Sequence, residues 1–299
     1  MSNHLFSILI ANYNNGCFFK DCYESILNQS YQNWEVIIVD DCSTDDSINI
    51  INELIAGDSK FKLFKNSKNF GCGYTKNRCA DLAEGEILGF LDPDDALKEN
   101  ALEVMVNAHN ERPEMSIISS RYEFVDLYMK IIQKSEQGGA IPSGKSYLTS
   151  IPGIITAFAT FKKHKYSLST GINSKMKRAV DQDLYYKLEE HGNHFFMDVY
   201  LYLYRIHSNS ISANENKYKA QYWHFYAMVQ AYKRRKRLKL KIDNFSLTEY
   251  KKIKANYYLS RFERANNLNQ FCKKRFFLIL SILSFPTYKL RYKLKSIFK

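Results

Sequence analysis

Two short apolar runs in this chain each end in a cluster of carboxylates, and that pairing constrains the fold more than any other feature. Val36-Ile37-Ile38-Val39 leads into Asp40-Asp41, and Ile87-Leu88-Gly89-Phe90-Leu91 leads into Asp92-Pro93-Asp94-Asp95. Short runs rich in β-branched and aliphatic residues read as strands buried on both faces. A strand buried on both faces needs helices above and below, which is the layering of an α/β sheet. Open sheets of that kind bind ligands beyond the carboxyl ends of their strands. Two acidic strand ends in one sheet can therefore grip a nucleotide and the divalent metal on its phosphates.

The first third continues the alternation. Strands are expected at Phe6–Ala11, Trp34–Val39, Phe61–Lys65 and Glu86–Leu91, with a turn at Asn12-Tyr13-Asn14-Asn15-Gly16. Helices are expected over 18–28, after an N-cap at Ser43 with Asp46 as its capping-box partner, over Tyr74–Ala83 ended by Gly85, and over Leu97–Asn110. Strands alternating with short helices predict a parallel sheet covered on both faces. The middle is less regular. Strands are expected at Met115–Ser119, Tyr122–Val125 and Ile154–Phe161, a helix over Asp183–His191, and a long aromatic strand over Phe195–Ile206. From about Asn214 the chain is helical in composition and nearly free of Gly and Pro until Pro286.

Charge divides the chain at the same place. Residues 1–215 hold 21 Lys and Arg against 28 Asp and Glu, whereas residues 216–299 hold 22 against three. An acidic body with a basic tail points to an anionic partner for the tail. Lys233 to Lys241 is one dense basic run, and the apolar stretch Phe276–Phe285 lies between Lys273-Lys274-Arg275 and a series ending in Lys295 and Lys299. Apolar and aromatic residues between basic flanks suit the surface of an anionic bilayer, which 270–299 is expected to meet. A helical subdomain packing its aromatic face on the body carries nearly equal weight, and the two are compatible. No nucleic-acid reader motif is present, so no nucleic-acid partner is expected. The uncharged stretch 276–288 has 13 residues, too few to span a bilayer, which takes roughly 20. The six cysteines show no CxxC pair and no metal-ligand spacing, as expected of buried thiols in a reducing compartment. Met1-Ser2-Asn3-His4 lacks the basic region of a signal peptide, so a cytoplasmic location is expected, with the tail placing the protein on the inner face of the plasma membrane.

Several residues are candidates for chemistry. Three carboxylates in Asp92-Pro93-Asp94-Asp95 repel one another unless a cation or hydrogen-bond donors offset them. Asp94 or Asp95 can hold Mg²⁺ or Mn²⁺ that a diphosphate completes, with Asp92 nearer the ribose; the alternative is a solvated turn capping the next helix. Asp40 or Asp41 can accept the imide N–H of a uracil ring, while Asp45 and Asp46 suit the first turn of a helix. Gly71-Cys72-Gly73 lacks the third glycine of a dinucleotide fingerprint and reads as a flexible loop into a helix, with Lys76 and Arg78 following within reach of a phosphate. Asp181 and Asp183 precede a helix, where a cap, most naturally Asp183, is the plainer reading and a general base the sharper one. His207, beside Arg205, forms a candidate phosphate-facing site.

Taken together, Phe6-Ser7-Ile8-Leu9-Ile10-Ala11-Asn12-Tyr13-Asn14, Val39-Asp40-Asp41-Cys42-Ser43-Thr44-Asp45, Phe90-Leu91-Asp92-Pro93-Asp94-Asp95 and Tyr204-Arg205-Ile206-His207 resemble the family 2 glycosyltransferases of the GT-A fold, from about residue 5 to 212. That resemblance implies a Rossmann-like α/β fold: a mixed, mostly parallel sheet flanked by helices, here with a C-terminal helical basic extension. It implies a nucleotide-sugar-binding half over 1–110, an acceptor-side half over 111–213, and the basic helical region over 214–299. It implies inverting transfer from a nucleotide sugar, most naturally a UDP-sugar, to a glycan or lipid-linked acceptor in cell-surface polysaccharide synthesis, with Mg²⁺ or Mn²⁺. By the family pattern Asn12 and Tyr13 line the donor pocket and Asp40 or Asp41 contacts the base. Asp92 is the ribose-side acid, Asp94 the metal-side acid, Asp181 the catalytic base, and His207 lies near the diphosphate. The metal set expected here is Asp94, Asp95 and His207, and Lys76 joins the donor contacts. Two departures stand out: Val180-Asp181 where the family often has Glu-Asp, and Lys76-Asn77 where it often has Arg-Asn. Lysine brings charge without a bidentate fork. The competing reading of another class is a catalytically silent sugar-nucleotide-binding or scaffold subunit of a glycan assembly complex. A nucleotidyltransferase is a further rival, against which Tyr13-Asn14 and His207 argue.

Overall fold

A computed structural model describes residues 3–151, 153–207, 217–240 and 247–297. β1 (Phe6–Asn12) runs parallel to β2 (Trp34–Asp40) on one side and to β4 (Ile87–Phe90) on the other, and β3 (Phe61–Lys65) extends the parallel set beyond β2. The register sets Asn12 opposite Asp40, so both reach the same carboxyl edge. The period of two splits the apolar side chains into two cores. Ile8, Ile10, Val36 and Ile38 face α1 (Phe19–Leu27), α2 (Ser47–Ile55) and α4 (Ala101–Glu111). Leu9, Ile37 and Val39 face the other way, toward α3 (Cys72–Leu82) and α6 (Val180–Glu189). Each of these strand side chains is fully buried, worth about 1.5–3 kcal/mol apiece. The expected sandwich of helices around a buried sheet is present.

The second half departs from simple alternation. β6 (Met115–Val125) is one continuous strand where two were expected, because Ser119, Ser120 and Arg121 keep the extended backbone between them. β8 (Ala159–Lys162) is shorter than the expected 154–161 and is inserted antiparallel between β4 and β6. β9 (Asn193–Arg205) runs parallel to β6, and β7 (Ile131–Lys134) forms a hairpin on β6. The sheet is therefore mixed, parallel through its first half, with order β3-β2-β1-β4-β8-β6-β9-β5. β5 (Ala96–Leu97) has two residues; it pairs antiparallel with β9, Ala96 opposite Leu203 and Leu97 opposite Tyr202. That short pairing ties the acidic loop after β4 to the distant end of β9. The remaining body helix, α5 (Lys163–Leu168), follows β8 directly.

Among the described residues after β9 there are four helices: α7 (Lys217–Arg237), α8 (Leu247–Asn267), α9 (Phe271–Ser284) and α10 (Leu290–Ile297). α7 packs on the body through Ala227, Met228 and Ala231, which join the core of α3 and α6. Part of the dense basic run is a clamp: Arg234 Nε donates to Glu190 at 2.6 Å and Arg235 to Glu189 at 2.7 Å. All four of these side chains are nearly buried. The aromatic, basic region thus docks on the body through α7. α8 and α9 share a smaller core of Leu259, Phe262, Phe277 and Leu278. Among the described residues no helix is long and apolar enough to cross a membrane.

Candidate active site

A cleft of about 920 Å³ opens along the carboxyl edge of the sheet. Asn12, Tyr13, Asp41, Lys76, Asp92, Asp94, Asp95 and Asp181 all line it. The two acidic strand tips face one cavity, as the sequence predicts. Asp40 lies beneath it, fully buried. Its Oδ1 accepts the Asn12 amide at 2.8 Å and its Oδ2 the Ser43 backbone N–H at 2.8 Å. Asp40 therefore holds Asn12 in place, and of the two neighbouring acids it is Asp41 that reaches the cleft. Ser43, expected as a helix N-cap, instead belongs to this loop: its Oγ accepts the Asn14 backbone N–H at 2.9 Å, and α2 begins four residues later at Ser47, after Asp46. Asn12 is 1% exposed, and its Oδ1 has no partner among the described residues. A buried acceptor left open beside a cleft is the kind of atom a ligand N–H or O–H satisfies.

Asp41 is held by three donors. Oδ1 accepts from Asn66 Nδ2 at 2.7 Å and from the Phe70 backbone N–H at 2.9 Å, and Oδ2 accepts from the Gly71 N–H at 2.7 Å. Gly71 is not part of a flexible loop. Its φ of +93° turns the chain so that α3 starts at the next residue. Gly73 is required for a different reason: a Cβ there would sit 2.3 Å from the Met176 carbonyl oxygen. α3 thus presses its first turn against the segment that leads to Asp181. Arg78, expected near a phosphate, points away and donates to Lys65 O and Asn66 Oδ1. It steadies the tip of β3.

The acidic loop separates its carboxylates. Asp95 turns inward, accepting from the Tyr202 hydroxyl at 2.7 Å and from the Arg205 backbone N–H at 2.8 Å. Burial, reinforced by Asp94 and Asp92, pushes its carboxyl well above the usual carboxylate range. Asp95 was expected among metal ligands; with both oxygens engaged it anchors the loop to β9 instead. Arg205 is 2% exposed and ties the loop further, donating from Nε to Asp94 O at 2.7 Å and from Nη2 to Asp21 Oδ2 at 2.6 Å. It makes no phosphate-facing pair with His207. Asp94 faces the cleft, and its Oδ2 lies 2.8 Å from His207 Nε2. His207 packs on Phe18 with ring centroids 4.7 Å apart.

Asp92 and Asp181 meet through Lys76. The Lys76 ammonium is 2.9 Å from Asp181 Oδ1 and 3.4 Å from Asp92 Oδ1. Burial works against this ammonium, but Asp181 and then Asp92 outweigh it and hold its pKa well above the ordinary lysine value. Asp181 sits in the first turn of α6, after Ala179 in the left-handed region at φ 54°. Asp183 is not the cap; it is buried and pairs with Lys187 one turn on, at 2.6 Å.

Among the described residues no three His, Cys, Asp or Glu side chains gather into a metal site. The Asp94–His207 pair nonetheless fits a cation that takes most of its ligands from elsewhere. One carboxylate oxygen and one imidazole nitrogen converge, and the second ring nitrogen, Nδ1, has no partner among the described residues. Mg²⁺ and Mn²⁺ commonly accept one or two protein ligands and complete their shells with phosphate oxygens and water.

The sequence reading missed Asn66 and Tyr202, and gave Arg205 a phosphate-facing role in place of its structural one. Asn66 follows the third strand tip, so the rule that found Asp40 and Asp92 also reaches it. Tyr202 and Arg205 lie on β9, whose pairing with the acidic loop nothing local announces.

A family model described as glycosyl transferase family 2 matches residues 7–168, more than half of the chain. The protein belongs to that family. Among its relatives, chondroitin synthase of Escherichia coli is 32% identical over 188 residues, 63% of this chain and 27% of that protein. Glycosyltransferase GlyG of Streptococcus pneumoniae is 33% identical over 122 residues, 41% of this chain and 40% of that protein. The chain thus spans between about a quarter and a half of the length of these curated relatives. In fold it is similar to S. aureus TarS 1–349, with a TM-score of 0.61 and 17% identity over 94% of this chain and 81% of that one. The complex of that protein with UDP-GlcNAc superposes with a TM-score of 0.62 over 93% of this chain and 81% of that one.

Proposed function

We propose that this protein is a glycosyltransferase that moves a sugar from a UDP-sugar to a hydroxyl of a glycan or lipid-linked acceptor, with inversion and with Mg²⁺ or Mn²⁺, in the synthesis of a cell-surface polysaccharide. The observation that carries the reading is the meeting of Asp92, Lys76 and Asp181 over the cleft that Asn12, Asp41 and Asp94 also line. The TarS structures in complex with UDP-GlcNAc and with UDP support a uridine donor. Chondroitin synthase supports a polysaccharide product.

Asn12 Oδ1 and the free lone pair of Asp41 Oδ2 receive the N–H and O–H groups of the nucleoside. Both are acceptors, so they favour a base with an imide N–H over one that offers a ring-nitrogen lone pair. Asp181 removes the acceptor's proton as its oxygen attacks the anomeric carbon. The bond to the diphosphate breaks in the same displacement, and the configuration inverts. Lys76, 2.9 Å away, keeps Asp181 aimed. Asp94 and His207 would hold the cation, which when bound offsets charge on the departing diphosphate. The test is UDP release from a panel of UDP-sugars with candidate acceptors, run on the wild type and on Asp181→Asn. The variant is expected to keep donor-induced thermal stabilisation and to lose about 10²–10⁴-fold in turnover. Unchanged turnover would remove Asp181 from the mechanism, and no UDP release from any donor would overturn the uridine assignment.

A further inference from the structure

The last two helices are built the wrong way round for water. α9 fills its inner face with Phe277, Leu278 and Ser281, which pack on α8. Its outer face is also apolar: Phe276, Ile279 and Leu283 recur at helical spacing and stay exposed, Leu283 at 73%. α10 goes further. Its inward residue is a lysine, Lys293, 1% exposed, whose ammonium donates to Ser281 O at 3.0 Å and Phe285 O at 2.6 Å. These are carbonyls at the end of α9, where a cation favours the helix dipole. With lysine and Ser296 turned in, Leu290, Leu294 and Ile297 are left outside, each about half exposed.

Each outer stripe is bordered by cations. Arg275 and Lys273 flank that of α9, and Arg291 and Lys295 flank that of α10, all exposed. No acidic residue follows Glu263. An apolar stripe edged with Lys and Arg matches a surface that offers hydrocarbon beneath negative charge. A second copy of this face would bring like charges together, and a nucleic acid would offer phosphate without hydrocarbon. Neither helix is long enough to span a bilayer.

We propose that α9 and α10 dock on an anionic phospholipid bilayer, lying in its headgroup layer with these stripes toward the acyl chains. Lys293 sets the orientation of α10 by capping α9, and so turns Leu290, Leu294 and Ile297 outward. The active-site cleft takes no part in this surface.

The test is flotation of the full chain with phosphatidylcholine vesicles with and without phosphatidylglycerol. Wild-type protein is expected to float only with the anionic vesicles and to detach as salt rises. Ile279→Ser with Leu283→Ser, Leu294→Ser with Ile297→Ser, and Arg291→Gln with Lys295→Gln each change exposed positions only. Each pair is expected to weaken vesicle binding roughly tenfold or more, with unchanged melting temperature and unchanged UDP release toward a soluble acceptor. Equal flotation of wild type and all three variants would overturn the proposal. So would absence of wild-type binding to anionic vesicles, whether the protein instead forms a dimer that these variants dissolve or retains a DNA fragment.

Discussion

Lys76 and Asp181 are 105 residues apart in the chain and 2.9 Å apart in the fold, and their contact joins the two halves of the body across the cleft. The lysine is nearly buried, whereas the Asp181 and Asp92 side chains are 43% and 48% exposed. Solvent therefore screens the carboxylate side, and the pair matters more for aim than for stability.

Replacing Lys76 with Met is expected to lower stability by only about 1 kcal/mol while reducing kcat roughly 10²-fold, as Asp181 loses its position. Lys76→Arg restores the charge and part of the rate. Denaturant melts alongside UDP-release kinetics separate the two effects; a variant with full kcat would deny the lysine any role in aiming Asp181.

Chelation is expected to abolish turnover, and Mn²⁺ or Mg²⁺ to restore it. His207→Ala and Asp94→Asn should raise the metal concentration needed for half-maximal rate roughly tenfold or more. Asp95→Asn should leave it near the wild-type value and lower the melting temperature instead, because Asp95 serves Tyr202 and Arg205. Full activity in EDTA would exclude the ion from the reaction.

Gly73→Ala forces a methyl group onto the Met176 and Asn173 carbonyl oxygens, both backbone. A loss of about 1–3 kcal/mol is expected, together with a fall in kcat, since the displaced segment leads into Asp181. Gly71→Ala meets open space, but at φ +93°. It should lose about 1–2 kcal/mol through backbone strain alone. Melts of the two variants that match wild type would show that this turn tolerates a side chain.

His109 is 1% exposed, with Nε2 2.9 Å from Thr160 Oγ1. Burial, helped by Lys162 and His4, lowers its pKa to about 3. The unfolded chain takes up this proton near pH 6.5 and the folded one does not, so stability is full above pH 6.5 and falls as the pH drops toward 3. The loss by pH 5 from this group is about 2 kcal/mol. His109→Gln should flatten the fall between pH 7 and 5 in thermal melts, and an unchanged slope would assign the acid sensitivity to other groups.

How much of this was legible in the sequence follows from how local each signal is. Asp40, Asp41 and Asp92 stood out because buried strands announce themselves by continuous apolar runs, and the sheet edge follows. Asp181 was ambiguous because Asp183 offers an equally good cap; only the left-handed Ala179 starts α6 early enough to put Asp181 in the first turn. Ser43 is drawn away from its expected cap by Asp40, which takes its backbone N–H, and Asp46 stands at the N-cap position of α2 instead. The inward turn of Asp95 and the burial of Arg205 depend on β9, which arrives more than 100 residues later. No local pattern carries that contact.

α6 bears Asp181 in its first turn and Glu189 in its last, with Glu190 as its C-cap, and there Arg235 and Arg234 bolt it to α7. One ten-residue rod therefore couples the proposed proton acceptor to the start of the cationic extension. If that extension rests on lipid headgroups, the rod sets the height of the cleft above them, and with it the length of acceptor stalk that can reach the attacking position.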